Sequence, residues 1–468
     1  MKKTVVVIGA GMGGLTAALR LRQAGFRVEV LEARAEAGGL ASGTVYERVW
    51  FDAGPYILLD RPGLEWAFRS VGMKLSEHVE LRAIDHVYSV ASPGRPAVNI
   101  YSSDRATAEE LEGRWPGSGN RYLRFVRQTG AIEASLRPLL YGSAPGPWSL
   151  LGGGRWRHAG FLLRSLGSVL RASRLPQPVV DALSIWTHVA GQRPEEAPSP
   201  LAFVPALVHS VGCFYPKDGI RAIPAVLAEA AAAAGVEFRY GTKAKKICTA
   251  GGRVKEVEST GGERFLADAV VSDCGIATYL DLLDQEEAGS RKRCRELRLQ
   301  SPGVCAYLTV KGKMEPPYLR FLLPGGEERA RLFIRPGVLN PEEKNGEWYP
   351  ARLLGPMDHA KAQRMGPQGQ ADYLEKLLEE KWWQEGIGGY RVLRRRTPAE
   401  WASEYSLARE SMNPVMTAKF MRQGRLRHRS PELRGLYLAG SATHPGQWVS
   451  FCAISGVLAA DCVRKDFA

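Results

Sequence analysis

The chain opens with a regular alternation of apolar runs and polar or glycine turns. Residues 4–8 form an uninterrupted, largely β-branched apolar run, which predicts a strand buried on both faces of a parallel sheet. Leucine and alanine recur at helical spacing in residues 13–23, so this segment predicts a helix that Gly25 ends. Residues 27–31 predict a second strand, which ends at Glu32. The pattern therefore predicts a strand–helix–strand unit at the start of a parallel sheet.

Along the rest of the chain the pattern changes character several times. Residues 105–205 are predicted to be mainly helical, and the α/β pattern resumes near residue 213. The other predicted elements are a helix over 60–75, strands over 80–90 and 97–101, strands within 303–335, a helix over 370–384, strands over 390–396 and 436–439, and a helix that begins near Val449. The pattern thus predicts one discontinuous α/β domain, whose segments from the N-terminus, from near residue 213 and from the C-terminus are separated by inserted segments.

Three glycines at the first predicted turn, Gly9, Gly11 and Gly14, have the G-x-G-x-x-G spacing of a dinucleotide-binding turn. The first allows a tight turn, the second lets a diphosphate approach the backbone, and the third lets the helix pack on the strand. The N-terminal N–H groups of that helix favour the diphosphate. Glu32 stands where a carboxylate accepts the two ribose hydroxyl groups, and its charge disfavours the 2′-phosphate of NADP.

A second glycine pair bears on which dinucleotide this turn holds. Gly38 and Gly39 follow the acid, and the segment FDAGPYILL begins at Phe51. A flavin dinucleotide extends past its diphosphate and needs backbone close to its ribityl chain and ring, which NAD does not. Non-covalent, extended FAD is therefore the predicted cofactor, although the glycine pair alone is equally compatible with a plain turn.

Composition adds limits to this picture. A chain of 468 residues favours two domains, and its 45% hydrophobic and 24% charged residues are ordinary for a globular protein. We expect neither a membrane-spanning helix nor a signal peptide, because the apolar runs are too short. The seven cysteines are scattered without a CxxC pair, which predicts a reducing cytoplasm and no metal site.

The net charge of +14 favours anionic partners. Nucleic acid is not expected, because the sequence has no nucleic-acid-binding motif. Residues 155–174 mix arginines with tryptophan, phenylalanine and leucines, as in a basic amphipathic helix on a membrane surface. The alternative is a helix packed on its own domain with solvated arginines. The predicted location is the cytoplasm, at a membrane surface in the first case.

Four stretches together resemble the phytoene desaturase and carotenoid isomerase group of the amine-oxidase-like flavoproteins. They are the glycine turn with Glu32 and the Gly38–Gly39 pair, FDAGPYILLDRPGLEWAFRSVG, YPKDGIRAIPAVLAEAAAAAGVEFRYGTKAKKI with VVSDCG, and TPAEWASEY with PELRGLYLAGSATHPG. The resemblance implies an α/β fold with two domains. They are a discontinuous, Rossmann-like FAD-binding domain of the GR2 type (1–75, 205–290 and 420–468) and an α+β substrate-binding domain (76–204 and 291–419).

The resemblance also implies an FAD-dependent oxidoreductase of desaturase, dehydrogenase or isomerase type. Its substrate would be a long apolar isoprenoid or carotenoid-like molecule that passes a hydride to flavin N5. Quinone or oxygen is the expected electron acceptor, because no second glycine fingerprint follows a strand. Two alternatives stay open: a flavin amine oxidase that takes a small amine and oxygen, and a non-enzymatic flavoprotein that serves as an escort or binding module.

The residues expected to contact FAD come from the glycine turns and from the C-terminal strand and helix. In the related flavoproteins such a helix directs its N-terminus at the N1 and O2 edge of the flavin. No catalytic side chain is predicted. The predicted cofactor-binding residues are Gly9, Gly11, Met12, Gly13, Gly14, Glu32, Ala33, Arg34, Gly38, Gly39, Leu40, Gly54, Pro55, Tyr56, Ala244, Gly440, Ser441, Val449 and Ser450.

Departures from the family pattern fall around the expected flavin and substrate. Leu40 follows the glycine pair where a polar residue is usual, Asp218 replaces a glycine in YPKDG, and Trp448 replaces a small residue. The region 310–395 is also shorter than the corresponding region of phytoene desaturases. These changes favour a shorter or modified polyene over phytoene.

Side chains in two turns near the expected flavin are further candidates. Lys217 and Asp218 could form an acid–base pair, although a solvated turn is the simpler interpretation. His444 is expected to be a hydrogen-bonded structural histidine. Trp448 is expected to line the substrate tunnel or to pack in the core.

Overall fold

A computed structural model gives the structure of the protein and describes residues 2–143, 145–283, 289–326 and 328–468. The strands, numbered in chain order, are β1 (Thr4–Ile8), β2 (Arg27–Leu31), β3 (Gly43–Tyr46), β4 (Val49–Asp52), β5 (Leu81–Ala83), β6 (His86–Ser92), β7 (Arg95–Tyr101), β8 (Phe214–Pro216), β9 (Glu237–Arg239), β10 (Ala244–Ala250), β11 (Arg253–Ser259), β12 (Arg264–Leu266), β13 (Ala269–Ser272), β14 (Leu299–Gln300), β15 (Val304–Lys311), β16 (Leu319–Leu322), β17 (Arg331–Ile334), β18 (Trp348–Gly355), β19 (Gly389–Arg396), β20 (Asn413–Pro414) and β21 (Leu436–Leu438).

The α-helices are α1 (Met12–Gln23), α2 (Arg61–Ser70), α3 (Leu75–His78), α4 (Asp104–Arg114), α5 (Ser118–Leu136), α6 (Ala159–Leu162), α7 (Leu166–Ala172), α8 (Gln177–Leu183), α9 (Ile185–Val189), α10 (Phe203–Ser210), α11 (Ala222–Ala233), α12 (Ala277–Leu280), α13 (Gly289–Glu296), α14 (His359–Glu379), α15 (Pro398–Tyr405), α16 (Ala418–Gln423) and α17 (Val449–Phe467). None of the described helices is both long enough and apolar enough to span a bilayer.

A five-stranded parallel sheet in the order β21-β13-β1-β2-β9 carries the predicted opening unit. β1 lies in its middle and is almost entirely buried, as its unbroken apolar run predicts. The five strands come from three separate parts of the chain: β1 and β2 from the N-terminus, β9 and β13 from residues 237–272, and β21 from near the C-terminus. The predicted strand–helix–strand unit, the resumption after residue 213 and the C-terminal strand and helix are confirmed.

The second large sheet is mixed, with the order β19-β15-β18-β17-β16-β6-β7. Its strands are antiparallel except for the parallel pair of β16 and β6. The helices from α4 to α10 follow β7 in the chain. This arrangement is the α+β part of the predicted fold. The predicted domain boundaries, 1–75, 205–290 and 420–468 against 76–204 and 291–419, remain a prediction.

Two predicted helices differ from those observed. Residues 155–174 do not form one amphipathic helix, because residues 155–158 form 3-10 turns, α6 ends at Leu162 and Ser165 caps a new helix, α7. The helix predicted over 370–384 begins at His359, continues through a break at Gly366, and ends at Glu379. Proline follows Gly366, and its missing N–H costs little in the first turn after such a break.

Candidate functional site

A continuous cavity of about 2030 Å³ runs from the carboxyl ends of β1, β2 and β13 to the helices α5 and α10. Ligands of open parallel sheets bind at this carboxyl edge. Its volume exceeds the range of about 300–1,000 Å³ that is typical of a pocket for one small molecule. The cavity therefore has room for a dinucleotide and for a second, long ligand.

The glycine turn forms the end of the cavity at β1. Gly9 has a left-handed φ of 96°, and a Cβ on Gly14 would overlap the carbonyl oxygen of Gly9. These two positions therefore require glycine for the turn and for the packing of α1 on β1. α1 begins at Met12 and has no acidic side chain in its first turn. No acidic side chain of α1 itself therefore opposes an anion at its N-terminus.

Glu32 is buried at the end of β2 and is fixed by two backbone N–H groups. Its Oε2 accepts a hydrogen bond from the N–H of Ala10 at 2.7 Å, and its Oε1 accepts one from the N–H of Arg34 at 2.9 Å. A carboxylate oxygen has further lone pairs, and Glu32 lines the cavity. It can therefore still accept hydrogen bonds from two ribose hydroxyl groups.

The second glycine pair extends the backbone cradle beyond the first turn. The N–H of Gly38 donates to the carbonyl of Ala10 at 2.8 Å, and the N–H of Gly54 donates to the carbonyl of Leu40 at 3.0 Å. A Cβ on Gly39 would lie 3.3 Å from the Cα of Gly11. Three separate backbone segments thus line one side of the cavity.

The predicted cofactor residues come together at this cavity. All of them line it except Gly14 and Gly440, which pack directly behind it. These two serve the close approach of α1, β1 and β21. The residues present fit an extended dinucleotide, because the cavity wall here is made largely of glycines. A side chain at these positions would fill space that the ligand needs or would overlap the backbone behind it.

Arg352, on β18, holds the loop that follows β4. Its buried Nη1 donates to the carbonyl oxygens of Asp52 and Ala53 at 2.8 Å and of Gly54 at 3.2 Å. Its Nη2 donates to the carbonyl of Pro55 at 3.3 Å. Sequence reasoning missed this residue, because 300 positions separate Arg352 from Asp52.

The turn YPKDG lies against the same loop, but its charged side chains point away from the cavity. Asp52 accepts hydrogen bonds from the Tyr215 hydroxyl at 2.6 Å and from the Ile220 N–H at 2.8 Å. Asp218 is exposed, and the Lys217 Nζ lies 3.3 Å from a Glu80 carboxylate oxygen. Lys217 and Asp218 thus form the solvated turn that was the simpler interpretation, and it is the backbone of this turn that contacts the loop after β4.

An ion-pair cluster joins α5 to the N-terminus of α17. Asp60 is buried, and it accepts hydrogen bonds from Arg137 Nη1 at 2.7 Å and from the Ser450 hydroxyl at 3.0 Å. Arg137 also pairs with Glu133 at 2.6 Å. Burial raises the pKa of Glu133, and Arg137 opposes this rise. The cluster positions the start of α17 at the wall of the cavity.

His444 and Trp448 line the cavity beside the same helix. His444 Nε2 lies 2.9 Å from the carbonyl oxygen of Leu139, as expected of a structural histidine. Burial lowers the pKa of His444 to about 4, so it is neutral at pH 7. Trp448 stacks on Phe451 with ring centroids 4.7 Å apart and also faces the cavity, so both expectations for it hold.

Comparisons with known proteins agree with this geometry. Residues 7–69 match the model of the NAD(P)-binding Rossmann-like domain. A zeta-carotene-forming phytoene desaturase of Myxococcus xanthus is 28% identical over 97% of this chain and 93% of its own length. A hydroxyneurosporene desaturase of Rubrivivax gelatinosus is 27% identical over 98% of this chain and 92% of its own length.

A solved structure shares the fold at lower identity. Putrescine oxidase bound to putrescine superposes with a TM-score of 0.65 at 16% identity, over 99% of each chain. This likeness concerns the fold alone. The predicted fold class is confirmed.

Replacing Glu32 is expected to release flavin. Glu32→Ala removes an ionised acceptor, and each such hydrogen bond contributes about 1.5–3 kcal/mol. The ratio of flavin to protein absorbance in the purified chain should fall steeply. The matched control is Glu36→Ala, because Glu36 is a nearby carboxylate that pairs only at the surface, with Arg34. Full retention of yellow colour in Glu32→Ala would contradict the assignment.

Replacing Arg352 is expected to destabilise the fold together with the cradle. Arg352→Met leaves several buried carbonyl oxygens without their donor, so we expect the free energy of unfolding in urea to fall by about 3–5 kcal/mol. Flavin content should fall with it. Arg391→Met is the control, because Arg391 is exposed on β19 and lies over the Trp348 ring at 4.3 Å. Equal stability of the two variants would show that Arg352 does not hold the loop.

Proposed function

We propose that this chain, which is related over its whole length to desaturases of the phytoene desaturase group, is an FAD-dependent oxidoreductase that removes a hydride from a long, carotenoid-like isoprenoid. The relationship confirms the resemblance inferred from the sequence motifs. The observation that carries the proposal is the single cavity that joins the glycine turn to an apolar branch. A cofactor at one end and an apolar substrate at the other would then meet inside the protein.

The apolar branch lies between the described residues of 136–143 and 150–163 that line it and helices α9 and α10. It is lined by Leu136, Leu139, Leu140, Leu150, Leu162, Leu163, Trp186, Val189, Leu201, Phe203, Val204 and Leu207. The charged groups at its inner end, Asp60 and Arg137, are paired with each other. A hydrocarbon chain that enters this branch would leave water and contact apolar side chains, and both changes favour its binding.

This branch also favours a polyene over the amine of the alternative hypothesis. A protonated amine needs a carboxylate or an aromatic cage, and the nearby carboxylates of Asp60 and Glu133 are already bound to Arg137. The relatives that align over nearly the whole chain include several desaturases and a 4,4'-diapolycopene oxygenase, whereas putrescine oxidase is similar in fold at 16% identity. A carotenoid-like substrate is therefore favoured over a small amine.

The residues at the other end would hold FAD in an extended pose. Glu32 would bind the adenosine ribose, the backbone of 11–13 the diphosphate, and the glycine pair with residues 54–56 the flavin end. A bound flavin would supply the hydride acceptor. The chain itself contributes orientation, exclusion of water, and the N-terminus of α17, whose partial positive charge favours negative charge beside it.

Two residues in the wall bear on which polyene fits. Leu40 adds apolar surface at the glycine pair, and Trp448 lines the cavity with a large side chain where α17 begins. A shorter or modified polyene therefore fits better than phytoene. Quinone or oxygen would accept the electrons.

The mouth of the apolar branch carries an exposed apolar patch. Trp148, Leu151, Trp156 and Leu163 are 82%, 60%, 65% and 72% exposed. Arg155 and Arg157 lie in the same segment. Tryptophan and leucine beside arginines are typical of contact with an anionic membrane surface. We therefore place the substrate entrance at the cytoplasmic face of a membrane.

The reaction can be tested by flavin reduction. The purified chain is incubated without oxygen in liposomes that contain carotenoid precursors, and the visible absorbance of oxidised flavin is followed. A polyene should bleach it, and a quinone should restore it. Putrescine is the control substrate. Bleaching by the amine and by no polyene would instead support an amine oxidase, and bleaching by neither would refute both activities.

Membrane contact can be tested separately by vesicle flotation. The double variant Trp148→Ser with Trp156→Ser should bind phosphatidylglycerol-containing vesicles with a partition coefficient more than tenfold lower, as measured by flotation. The reason is that burial of each large apolar side chain contributes about 1.5–3 kcal/mol to the free energy of binding. The control is Leu266→Ser. Leu266 is 73% exposed but lies outside the patch, on β12 of the three-stranded sheet β10-β11-β12. Equal flotation of both variants would show that this patch does not bind the membrane.

A further inference from the structure

We propose that Asp273 is a further residue of the cofactor site, and that the diphosphate binds only when this carboxyl group is protonated. Cofactor affinity would then fall as the pH rises above neutrality. The inference rests on the proposed dinucleotide cofactor, but not on the substrate or the reaction.

Asp273 follows β13 and places its carboxyl group inside the glycine turn. Its Oδ2 accepts a hydrogen bond from the N–H of Gly14 at 3.0 Å. A Cβ on Gly11 would lie 2.5 Å from the same oxygen, and a Cβ on Gly13 would lie 2.7 Å from Oδ1. Asp273 also lines the cavity. The carboxyl group therefore occupies the N-terminus of α1, where the diphosphate is expected to bind.

Two anions cannot share one helix N-terminus without cost. The dipole and free N–H groups of α1 attract either one, but like charges at this separation repel strongly in a partly desolvated site. A neutral carboxylic acid avoids the repulsion and offers an O–H donor. Protonation of Asp273 therefore makes the turn compatible with a diphosphate.

The groups that face Asp273 do not neutralise its charge. Within the described residues, the titratable neighbours are Glu32 from β2, Cys274 from the following turn and Cys452 from α17. α1 carries no charged side chain before Arg20, which pairs with Asp461 at 3.1 Å. β1 contributes apolar side chains. The turn after β21 contributes hydroxyl groups and His444, which is neutral at pH 7 because burial lowers its pKa to about 4. The one full charge close by is thus the like charge of Glu32.

The same surroundings set the pH range. Burial, and less strongly Glu32, raise the pKa of Asp273 to about 7, while the Gly14 N–H opposes the rise. Below this pH Asp273 is already protonated, so binding should not vary. Above it, binding must take up a proton, so the dissociation constant should rise by up to about tenfold per pH unit.

The experiment measures ligand affinity rather than turnover. The full chain, freed of flavin, is titrated between pH 6 and 9 with FAD, with ADP-ribose and with adenosine. FAD and ADP-ribose carry a diphosphodiester that does not titrate in this range, and adenosine carries none. We expect affinity for the first two to fall above pH 7 and affinity for adenosine to stay level.

Variants assign the effect to one carboxyl group. Asp273→Asn, which resembles the protonated acid, should bind FAD with little dependence on pH. Asp268→Asn is the control at the opposite end of β13, where Asp268 pairs with Lys3 at 2.9 Å, and it should behave like the unchanged protein. If Asp273→Asn does not fold, calorimetry of the unchanged chain in two buffers of different ionisation enthalpy measures the proton uptake directly.

The outcomes separate this inference from the proposed function. Tight FAD binding that does not vary with pH, or equal pH dependence for adenosine, would overturn the role of Asp273 and leave the cofactor intact. No binding of FAD at any pH would overturn both. Failure to oxidise a polyene would leave the result for Asp273 unchanged.

Discussion

The site depends on the close approach of α1 to its neighbours, which glycine makes possible on two sides. Gly14 packs against the Gly9 carbonyl of β1, and Gly456 of α17 packs against the Gly13 carbonyl of α1. A side chain at either position would overlap backbone. Because α1 is pressed between β1 and α17, the N-termini of both helices open into one cavity. The anion site and the expected flavin site are thus products of the same packing.

Two arginines from distant parts of the chain then complete the cavity. Arg352 extends from the second sheet to the carbonyl oxygens after β4, and Arg137 extends from α5 to Asp60 beside α17. Buried charges are costly unless their partners are placed well, so each arginine stabilises one arrangement of its loop over others. The parts of the chain inserted between the strands of the parallel sheet therefore shape the cofactor end as well as the substrate end.

The sequence predicted the parts of this site that depend on local pattern. β1, α1, β2 and Glu32 could be predicted because hydrophobic period and glycine spacing act over a few residues. Arg352 and Asp273 could not, because their roles arise from contacts with residues far away in the chain. A charged residue directly after a buried strand, as Asp273 stands after β13, is the one local signal that could have indicated it.

The errors have equally physical causes. The apolar and basic composition of 155–174 favoured an exposed surface, and Trp156 and Leu163 are exposed. Composition does not show that one helix ends at Leu162 and that Ser165 begins another. In YPKDG the charged side chains drew attention as a candidate acid–base pair, although a solvated turn was the simpler interpretation and is what the structure has. The structure uses the backbone N–H of Ile220 instead, which donates to Asp52 at 2.8 Å. The identity of a residue does not indicate whether its backbone N–H has such a role, because every residue except proline carries the same donor.

Backbone contacts also explain why a strongly basic chain can have acids at its glycine turn. Glu32 and Asp273 both face this turn, and Arg34 is bound to the Ser42 hydroxyl at 2.7 Å and to Glu36 at 3.0 Å. The attraction for a diphosphate must then come mainly from the N–H groups and dipole of α1. The net charge of +14 is therefore not a requirement of the cofactor. Part of the positive charge lies instead at the surface, where Arg155 and Arg157 stand in the same segment as the exposed Trp156, and this is the surface that the proposed contact with an anionic membrane would use.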